Sequence, residues 1–272
     1  MSDGRPVQMT TDYWGRERLD QAILDALAAA GKRVDSLTID DLAPLDHFHH
    51  GGKAATVRLA HLAGMRPGMR VLDIGGGLGG PARTLATEFG CDVTVVDLTA
   101  SYVHAAEMLT ARLGLGARVT HHLGNALELP FDASTFDVVW TQNSGMNIAA
   151  KEPLYAGFYR VLRPEGRLAL QEPMAGPVQP LLFPEMWARD AATSFLRTPM
   201  EMRALIEAAG FRARAWDDVT AETAGPEPGA AVNVQSIPYL VMGEALATLN
   251  HVAYRNRTEG RIVVVQAVFD RT

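Results

Sequence analysis

Residues 71–80 read Val-Leu-Asp-Ile-Gly-Gly-Gly-Leu-Gly-Gly, an apolar run that passes directly into a glycine-rich segment. Glycines allow a tight turn whose backbone amides can approach a ligand without interference from a Cβ atom. The pattern predicts a buried strand that ends in a ligand-binding turn. Its spacing Gly75-x-Gly77-x-x-Gly80 also matches the dinucleotide pattern, and Asp97 follows at the spacing of a ribose-binding acid. The glycines alone therefore leave the ligand open.

Short β-branched runs alternate with helical stretches on the C-terminal side of this turn. Their apolar character is typical of strands that are covered on both faces, as in parallel sheets. The predicted strands are Arg70–Ile74, Asp92–Leu98, Arg118–His122, Phe136–Thr141, Gly166–Gln171, Phe211–Trp216 and Arg261–Phe269. This order predicts the α/β class, with a doubly wound, seven-stranded, mostly parallel sheet.

The segment before the sheet is predicted to be a helical extension over residues 1–65, leaving residues 66–272 as the main domain. Apolar residues recur at helical spacing between Arg16 and Ala30, and a third helix is predicted from Lys53 to Ala63. Between these two helices, Thr38 and Asp41 form a variant capping box.

Two connections are long enough to predict lids or caps, at about residues 173–197 and 217–260. The second connection contains a flexible stretch over residues 222–231 and a helix near Tyr239–Leu249. Between the two, the sequence from Thr198 to Glu201 combines a helix cap with a proline at the first helical position.

Composition limits the classes of partner. The formal net charge of -6 argues against nucleic acid, because nucleic-acid binders concentrate Lys and Arg on one face. Cys91 is the only cysteine, which excludes an intramolecular disulfide and fits a reducing cytoplasm. The N-terminal residues lack a secretion signature and no apolar run approaches the length of a membrane span. We expect a cytoplasmic protein with a small-molecule partner and no membrane partner, and a homo-oligomer stays open.

Asp73 favours a net cationic ligand over a dinucleotide. A carboxylate two residues before the first glycine would repel the pyrophosphate of a dinucleotide, whereas a net cationic ligand tolerates it. At residues 73–79 the chain resembles the class I S-adenosylmethionine-dependent methyltransferases, whose first motif is an acid followed by Gly-x-Gly-x-Gly. The resemblance implies that S-adenosylmethionine is the cofactor.

Further motifs of that family follow in order between Met69 and Gln171. They are a ribose-binding acid with its neighbour (Asp97 and Leu98), an adenine-edge motif at residues 124–126, a fourth strand at residues 136–140 and a turn at residues 162–168. Asn125 departs from the usual Asp, and as a neutral acceptor it should bind less strongly. The donor-binding residues that the resemblance implies are Asp73, Gly75, Gly76, Gly77, Gly79, Asp97, Leu98, Asn125, Ala126 and Gln142.

Residues 46–52 and 171–174 resemble a narrower branch, the sarcosine/dimethylglycine N-methyltransferases and related natural-product methyltransferases. The family pattern implies His49 as the catalytic histidine. One short histidine-rich loop rarely supplies tetrahedral geometry, so no metal site is predicted. Glu172, at the carboxyl end of the fifth strand, is a second catalytic candidate that could hold an amine, deprotonate a nucleophile or stabilise a cation. It could also be a solvated acid.

The acceptor site is predicted from aromatic, methionine and amide side chains outside the donor motifs, although core packing would explain the aromatic residues and Met equally well. These acceptor-site candidates are Tyr13, Trp14, Asn143, Met146 and Trp187.

The predicted reaction is an in-line transfer of a methyl group to an amine, a hydroxyl or an activated carbon of a small molecule. Two alternatives stay open at this point. The same glycine turn could serve a nicotinamide-dependent oxidoreductase, or the chain could be a non-catalytic S-adenosylmethionine-binding module.

Overall fold

A computed structural model describes residues 5–223 and 237–272 of the chain. It contains one seven-stranded sheet in the order β3-β2-β1-β4-β5-β7-β6. All neighbouring pairs are parallel except those of β7, which runs antiparallel to β5 and β6. This confirms the predicted doubly wound, mostly parallel sheet. The strands are β1 (Arg70–Ile74), β2 (Asp92–Asp97), β3 (Val119–Leu123), β4 (Phe136–Gln142), β5 (Leu162–Ala175), β6 (Phe211–Asp218) and β7 (Ile262–Arg271).

Helices cover both faces of the sheet and extend beyond it at the N-terminus. No helix in the described ranges is long and apolar enough to cross a membrane. The α-helices are α1 (Arg5–Trp14), α2 (Leu19–Ala29), α3 (Ile39–Asp46), α4 (Gly52–Ala63), α5 (Gly80–Glu88), α6 (Ala100–Arg112), α7 (Lys151–Val161), α8 (Pro199–Ala208), α9 (Ile237–Met242) and α10 (Leu246–Thr258).

The strongest local signals in the sequence correspond to the observed elements. Strand β1 has the predicted bounds, and the capping boxes at Thr38 and Thr198 are both formed, with the side chains of Asp41 and Glu201 closing them. The predicted helices near the N-terminus are present as α2 and α4.

Other bounds differ from the prediction. Strand β5 continues to Ala175, so the connection expected to begin at residue 173 starts inside a strand. The reason is tertiary, because β7 pairs with β5 as far as the Ala175–Ile262 pair. Helix α1 had no predicted counterpart, and two helices, α9 and α10, replace the single helix expected near residues 239–249. Most of the stretch predicted to be flexible, residues 222–231, lies outside the described residues. The division at residue 65 stays a prediction.

The N-terminal helices α2 and α3 pack through their apolar faces against helix α6 and the glycine turn. Leu27 of α2 and Leu42 of α3 are buried in one cluster with Leu78 of the glycine turn and Tyr102 of α6. Burying a leucine side chain contributes about 2 kcal/mol. This cluster therefore fixes the extension beside the glycine turn.

Candidate functional site

A cavity of about 360 Å³ lies at the carboxyl ends of β1, β2 and β4. Open α/β sheets bind ligands at this edge, and the volume lies in the range of small-molecule sites. Its walls come from the glycine turn, the loops at residues 124–128, 142–144 and 147–150, and the N-terminal extension. The extension contributes Thr10, Trp14, Asp46, Phe48 and His49.

The glycine turn leaves no space for side chains on its inner surface. Gly75 has φ +68°, and a Cβ atom on it would lie 2.4 Å from the Cβ of Ser144. A Cβ on Gly76 would lie 2.5 Å from Val95 Cγ1 and 2.7 Å from Asp73 Oδ2. The backbone of the turn is therefore the wall of the cavity itself.

Two carboxylates face the cavity beside this turn. Asp97 accepts hydrogen bonds from the backbone amides of Gly77 (2.9 Å) and Thr99 (2.9 Å). Asp73 is 1% exposed, and its Oδ2 atom has no hydrogen-bond partner among the described residues. Burial, together with the charge of Asp97, raises the pKa of Asp73 to about 7. A buried carboxylate without a partner is costly, so the site fits a ligand that brings a positive charge or hydrogen-bond donors.

The adenine-edge motif lies where the sequence predicted it. Leu98, Asn125 and Ala126 line the cavity, and the side-chain oxygen of Asn125 accepts a hydrogen bond from the amide of Leu127 (3.0 Å). Gln142, which also lines the cavity, accepts hydrogen bonds from Thr56 (3.0 Å) and Trp140 (3.1 Å) through its oxygen.

Tyr102 is a cavity residue that the sequence reasoning missed. Its ring makes an edge contact with Trp14, which makes another with Phe48, so three aromatic side chains close one side of the cavity. The Tyr102 hydroxyl is buried and has no hydrogen-bond partner within the described part of the chain. In the sequence, Tyr102 is indistinguishable from an ordinary apolar position of helix α6, and only its place beside Asp97 marks it.

His49 lies in the cavity wall as a neutral side chain. Its Nε2 atom is 3.1 Å from Thr56 Oγ1, and its Nδ1 atom is 3.2 Å from the carbonyl oxygen of His50. Burial and the neighbouring His47 lower the pKa of His49 to about 3. Burial and Arg257 lower that of His50 to about 4, and its Nδ1 atom lies 2.6 Å from the Asn143 amide.

A buried polar network joins the histidine loop to the glycine turn. Asp46 accepts from Arg83 (2.7 Å) and lies 2.8 Å from His47 Nδ1, and Arg83 also donates to the carbonyl oxygen of Leu78 (2.7 Å). Arg83 has no exposed surface. Because breaking a buried pair strands a charge, this network holds the loop firmly on the turn. Within residues 5–223 and 237–272, no group of three or more His, Cys, Asp or Glu side chains is arranged to hold a metal.

Glu172 lies behind the cavity wall rather than in it. Its Oε1 atom accepts from the amides of Gly145 (2.9 Å) and Ser144 (3.3 Å) and from the Thr141 hydroxyl (3.2 Å). Burial raises the pKa of Glu172, although the Gly145 hydrogen bond and the charge of Lys151 oppose part of this shift. The Oε2 atom has no hydrogen-bond partner in the described residues. Since Ser144 lines the cavity, Glu172 is placed to orient the loop that forms the wall.

The remaining predicted residues divide between the cavity and its surroundings. Trp14 and Asn143 line it, whereas Tyr13 donates to the backbone of Glu185 (3.1 Å). Met146 and Trp187 are buried together in a separate apolar cluster. Gly79 lies on the other side of the turn, where a Cβ atom would meet His121 at 2.7 Å. The structure therefore does not bring these four outlying residues, Tyr13, Met146, Trp187 and Gly79, to the cavity lining.

The sheet order and the cavity at its carboxyl edge define the class I methyltransferase fold. Residues 71–166 match the family model described as a methyltransferase domain, and the chain is similar over 98% of its length to a geranyl diphosphate methyltransferase structure, with a TM-score of 0.74 and 19% identity. That structure is fully covered by the match and was determined with geranyl diphosphate and sinefungin. The predicted resemblance is thereby confirmed.

Two curated relatives resemble the central part of the chain. One is a sterol 24-C-methyltransferase from Eremothecium gossypii, 36% identical over 42% of this chain and 31% of the relative. The other is a glycine/sarcosine/dimethylglycine N-methyltransferase from Actinopolyspora halophila, 34% identical over 48% of this chain and 23% of the relative. The matched stretch thus spans less than a third of either relative.

Proposed function

We propose that this protein transfers a methyl group from S-adenosylmethionine to a small-molecule acceptor. The observation that carries the proposal is the unpartnered, buried Oδ2 atom of Asp73 in a cavity walled by glycine backbone. A dinucleotide would bring its pyrophosphate to this turn, against the Asp73 carboxylate. A cationic donor removes the cost of the unpaired carboxylate. The methyltransferase relatives support the same function.

The residues present fit such a donor. Asp73 would neutralise its positive charge, and the backbone of Gly75 and Gly77 would lie against its polar end. Asp97 lines the cavity at the end of β2, so its carboxylate would accept from ribose hydroxyls. Asn125 would accept from the adenine amino group.

S-adenosylmethionine supplies a methyl group on a sulfur that already carries its leaving group. The protein therefore has to align the two reactants and to exclude water, and it needs no nucleophile of its own. The aromatic side chains of Trp14, Phe48 and Tyr102 enclose one side of the cavity and serve that exclusion.

His49 and Glu172 stay the candidates for direct participation, with different supporting observations. His49 lines the cavity and is neutral at ordinary pH, with Nδ1 facing the His50 carbonyl oxygen and Nε2 facing the Thr56 hydroxyl. It would accept a hydrogen bond from an acceptor's hydroxyl or amine through Nε2, in place of Thr56. Its pKa of about 3 makes it a weak base. Glu172 would act through the loop at residues 144–145, as a positioning residue. The acceptor class, cytoplasmic location and a homo-oligomeric state stay predictions.

Calorimetry with S-adenosylmethionine and with NADH tests the donor. We expect a binding isotherm with S-adenosylmethionine alone, and a donor affinity about 10-fold or more weaker in the Asp73→Asn variant, because a charge-assisted contact is lost. Binding of NADH without binding of S-adenosylmethionine would overturn the proposal.

A second measurement separates an enzyme from a binding module. Consumption of S-adenosylmethionine is followed with amines, phenols, keto acids and prenyl diphosphates as acceptors. We expect turnover with one of these classes. Donor binding without turnover across all of them would favour the non-catalytic alternative.

A further inference from the structure

A second cavity, of about 470 Å³, lies at the opposite edge of the sheet. It is formed where β4, β5 and β6 begin and where the antiparallel strand β7 ends. Because the donor cavity lies at the carboxyl ends of β1, β2 and β4, the two cavities are separated by the length of the sheet. The second cavity has no part in the proposed methyl transfer.

The side chains around this second cavity are predominantly cationic. They include six arginines against three carboxylates, in a chain whose formal net charge is -6. We call it the arginine cavity, defined by Arg66, Arg163, Arg167, Arg212, Arg214 and Arg271. Guanidinium groups stay charged at any physiological pH, so the excess of positive charge is permanent.

Two of the three carboxylates are already engaged. Asp137 accepts from Arg163 (2.6 Å) and from the amide of Arg70 (2.7 Å). Asp270 lies 2.8 Å from Arg214 and 3.8 Å from Arg167. The local acids therefore compensate only part of the arginine charge.

The remaining arginines differ in how they are held. The side chain of Arg271 donates to the Leu162 carbonyl and lies over the Tyr159 ring, with 4.3 Å to the centroid. Arg66 and Arg212 are exposed, and their side chains have no ion pair or hydrogen bond with any residue that the structure describes. Arg167 is held by the Ala63 carbonyl oxygen, to which it donates (2.7 Å), and its buried Nε atom faces Asp270. Arg66 and Arg212 thus bring guanidinium donors to one concave surface without acceptors for them among the described residues.

We propose that the arginine cavity binds a diphosphate group, either as the free oxyanion or as part of a nucleoside diphosphate. A planar guanidinium presents parallel N–H donors that match two oxygens of a phosphate. Arg66 and Arg212 can therefore each bind one phosphate group of the diphosphate in a bidentate manner. The cavity is larger than pyrophosphate alone and leaves room for a group attached to it. Exposed guanidiniums also bind rapidly and in a salt-dependent way.

The test is calorimetry of the full chain with inorganic pyrophosphate and with uridine diphosphate, which carries no adenine that could enter the donor cavity. The variant combines Arg66→Gln with Arg212→Gln, and we expect it to bind at least about 10-fold more weakly. Both substitutions are at exposed, unpaired positions, so thermal unfolding should be unchanged. Equal affinities assign the site to the free oxyanion, and tighter binding of uridine diphosphate assigns it to a nucleotide.

The charge control is Arg203→Gln with Arg255→Gln, two exposed arginines on α8 and α10 that form (i, i+4) ion pairs with Glu207 and Glu259. This variant has the same change in net charge and should bind pyrophosphate as the unmodified chain does. Equal weakening in both variants would show a general effect of charge and would overturn the proposal, as would the absence of any binding. Neither result bears on binding of S-adenosylmethionine.

Discussion

The two edges of the sheet carry unpaired charges of opposite sign in opposite surroundings. At the carboxyl edge Asp73 is buried with one oxygen unpartnered, and burial raises its pKa. At the amino edge Arg66 and Arg212 are exposed, where water solvates them. Binding to an unpaired buried carboxylate depends on pH and is little affected by salt. Binding to an exposed guanidinium depends on salt and is little affected by pH. The two edges should therefore respond to different solution conditions.

The largest effect is expected from Gly76→Ala. The added methyl group would lie 2.5 Å from Val95 Cγ1, and Asp73 Oδ2 would be displaced. Overpacking of this kind lowers the free energy of unfolding by about 1–3 kcal/mol. Moving the Asp73 carboxylate also removes its contact with the donor, and losing a hydrogen bond to a charged group costs up to about 3 kcal/mol, so donor affinity should fall on the order of 100-fold. Calorimetry with S-adenosylmethionine measures the loss.

Gly116→Ala is the control, because an added Cβ there would meet nothing within 4 Å among the described atoms. It should bind the donor normally. If Gly76→Ala binds equally well, the glycine turn is not the wall of the donor site.

The pH dependence of donor binding comes next. Asp73 has a raised pKa of about 7, so below that pH the free protein holds a proton that a cationic donor must displace. Donor affinity should rise by up to about 10-fold per pH unit as the pH approaches 7 and level off above it. Calorimetry between about pH 5 and pH 9 checks the slope.

The Asp73→Asn variant should bind more weakly at high pH and lose most of this slope, since no carboxyl remains to titrate at that position. A slope that persists unchanged in Asp73→Asn would assign the titration to another group, and the role of Asp73 in the donor site would be contradicted.

A smaller effect is expected from Tyr102→Phe. The hydroxyl has no partner in the described residues, so its removal should leave the free energy of unfolding unchanged or slightly higher. We expect the hydroxyl to pair with the bound donor, so donor affinity should fall about 5-fold. Tyr13→Phe is the contrasting variant, because its hydroxyl donates to the backbone of Glu185 and Met186. It should lower stability by about 1 kcal/mol and leave donor affinity unchanged. If Tyr102→Phe instead lowers stability and leaves donor affinity unchanged, while Tyr13→Phe weakens donor binding, Tyr102 is not part of the donor site.

Salt should have the smallest effect at the donor site. Raising the ionic strength from about 0.01 M to about 1 M shortens the screening length from about 30 Å to about 3 Å. We expect donor affinity to change by less than about 2-fold, because the Asp73 contact is enclosed, while pyrophosphate binding at the arginine cavity is nearly abolished. Calorimetry at both salt concentrations makes the comparison, and equal salt sensitivity at the two edges would contradict it.

Local signals predicted most of the fold. Strand β1 and the two capping boxes follow from neighbouring residues alone, and the structure contains them as predicted. The end of β5 could not be predicted, because a long connection was expected from about residue 173 and only pairing with β7 extends the strand to Ala175.

The candidate site divides in the same way. Asp73, Gly75 and Asp97 were predicted from one short motif and its spacing, and they line the cavity. Tyr102 was missed and Trp187 was placed in the acceptor site although it is buried elsewhere, because side chains of this type occur in cores and in sites alike.

Residues 70–80 and the strands that follow specify a doubly wound sheet with a glycine turn, since strand pattern and glycine conformation depend on near neighbours in the chain. Three further features required the packing of distant segments: the aromatic enclosure by Trp14 and Tyr102, the placement of Glu172 behind the cavity wall, and the arginine cavity. Each of these features joins residues tens of positions apart. The burial that raises the pKa of Asp73 exists only once those segments meet.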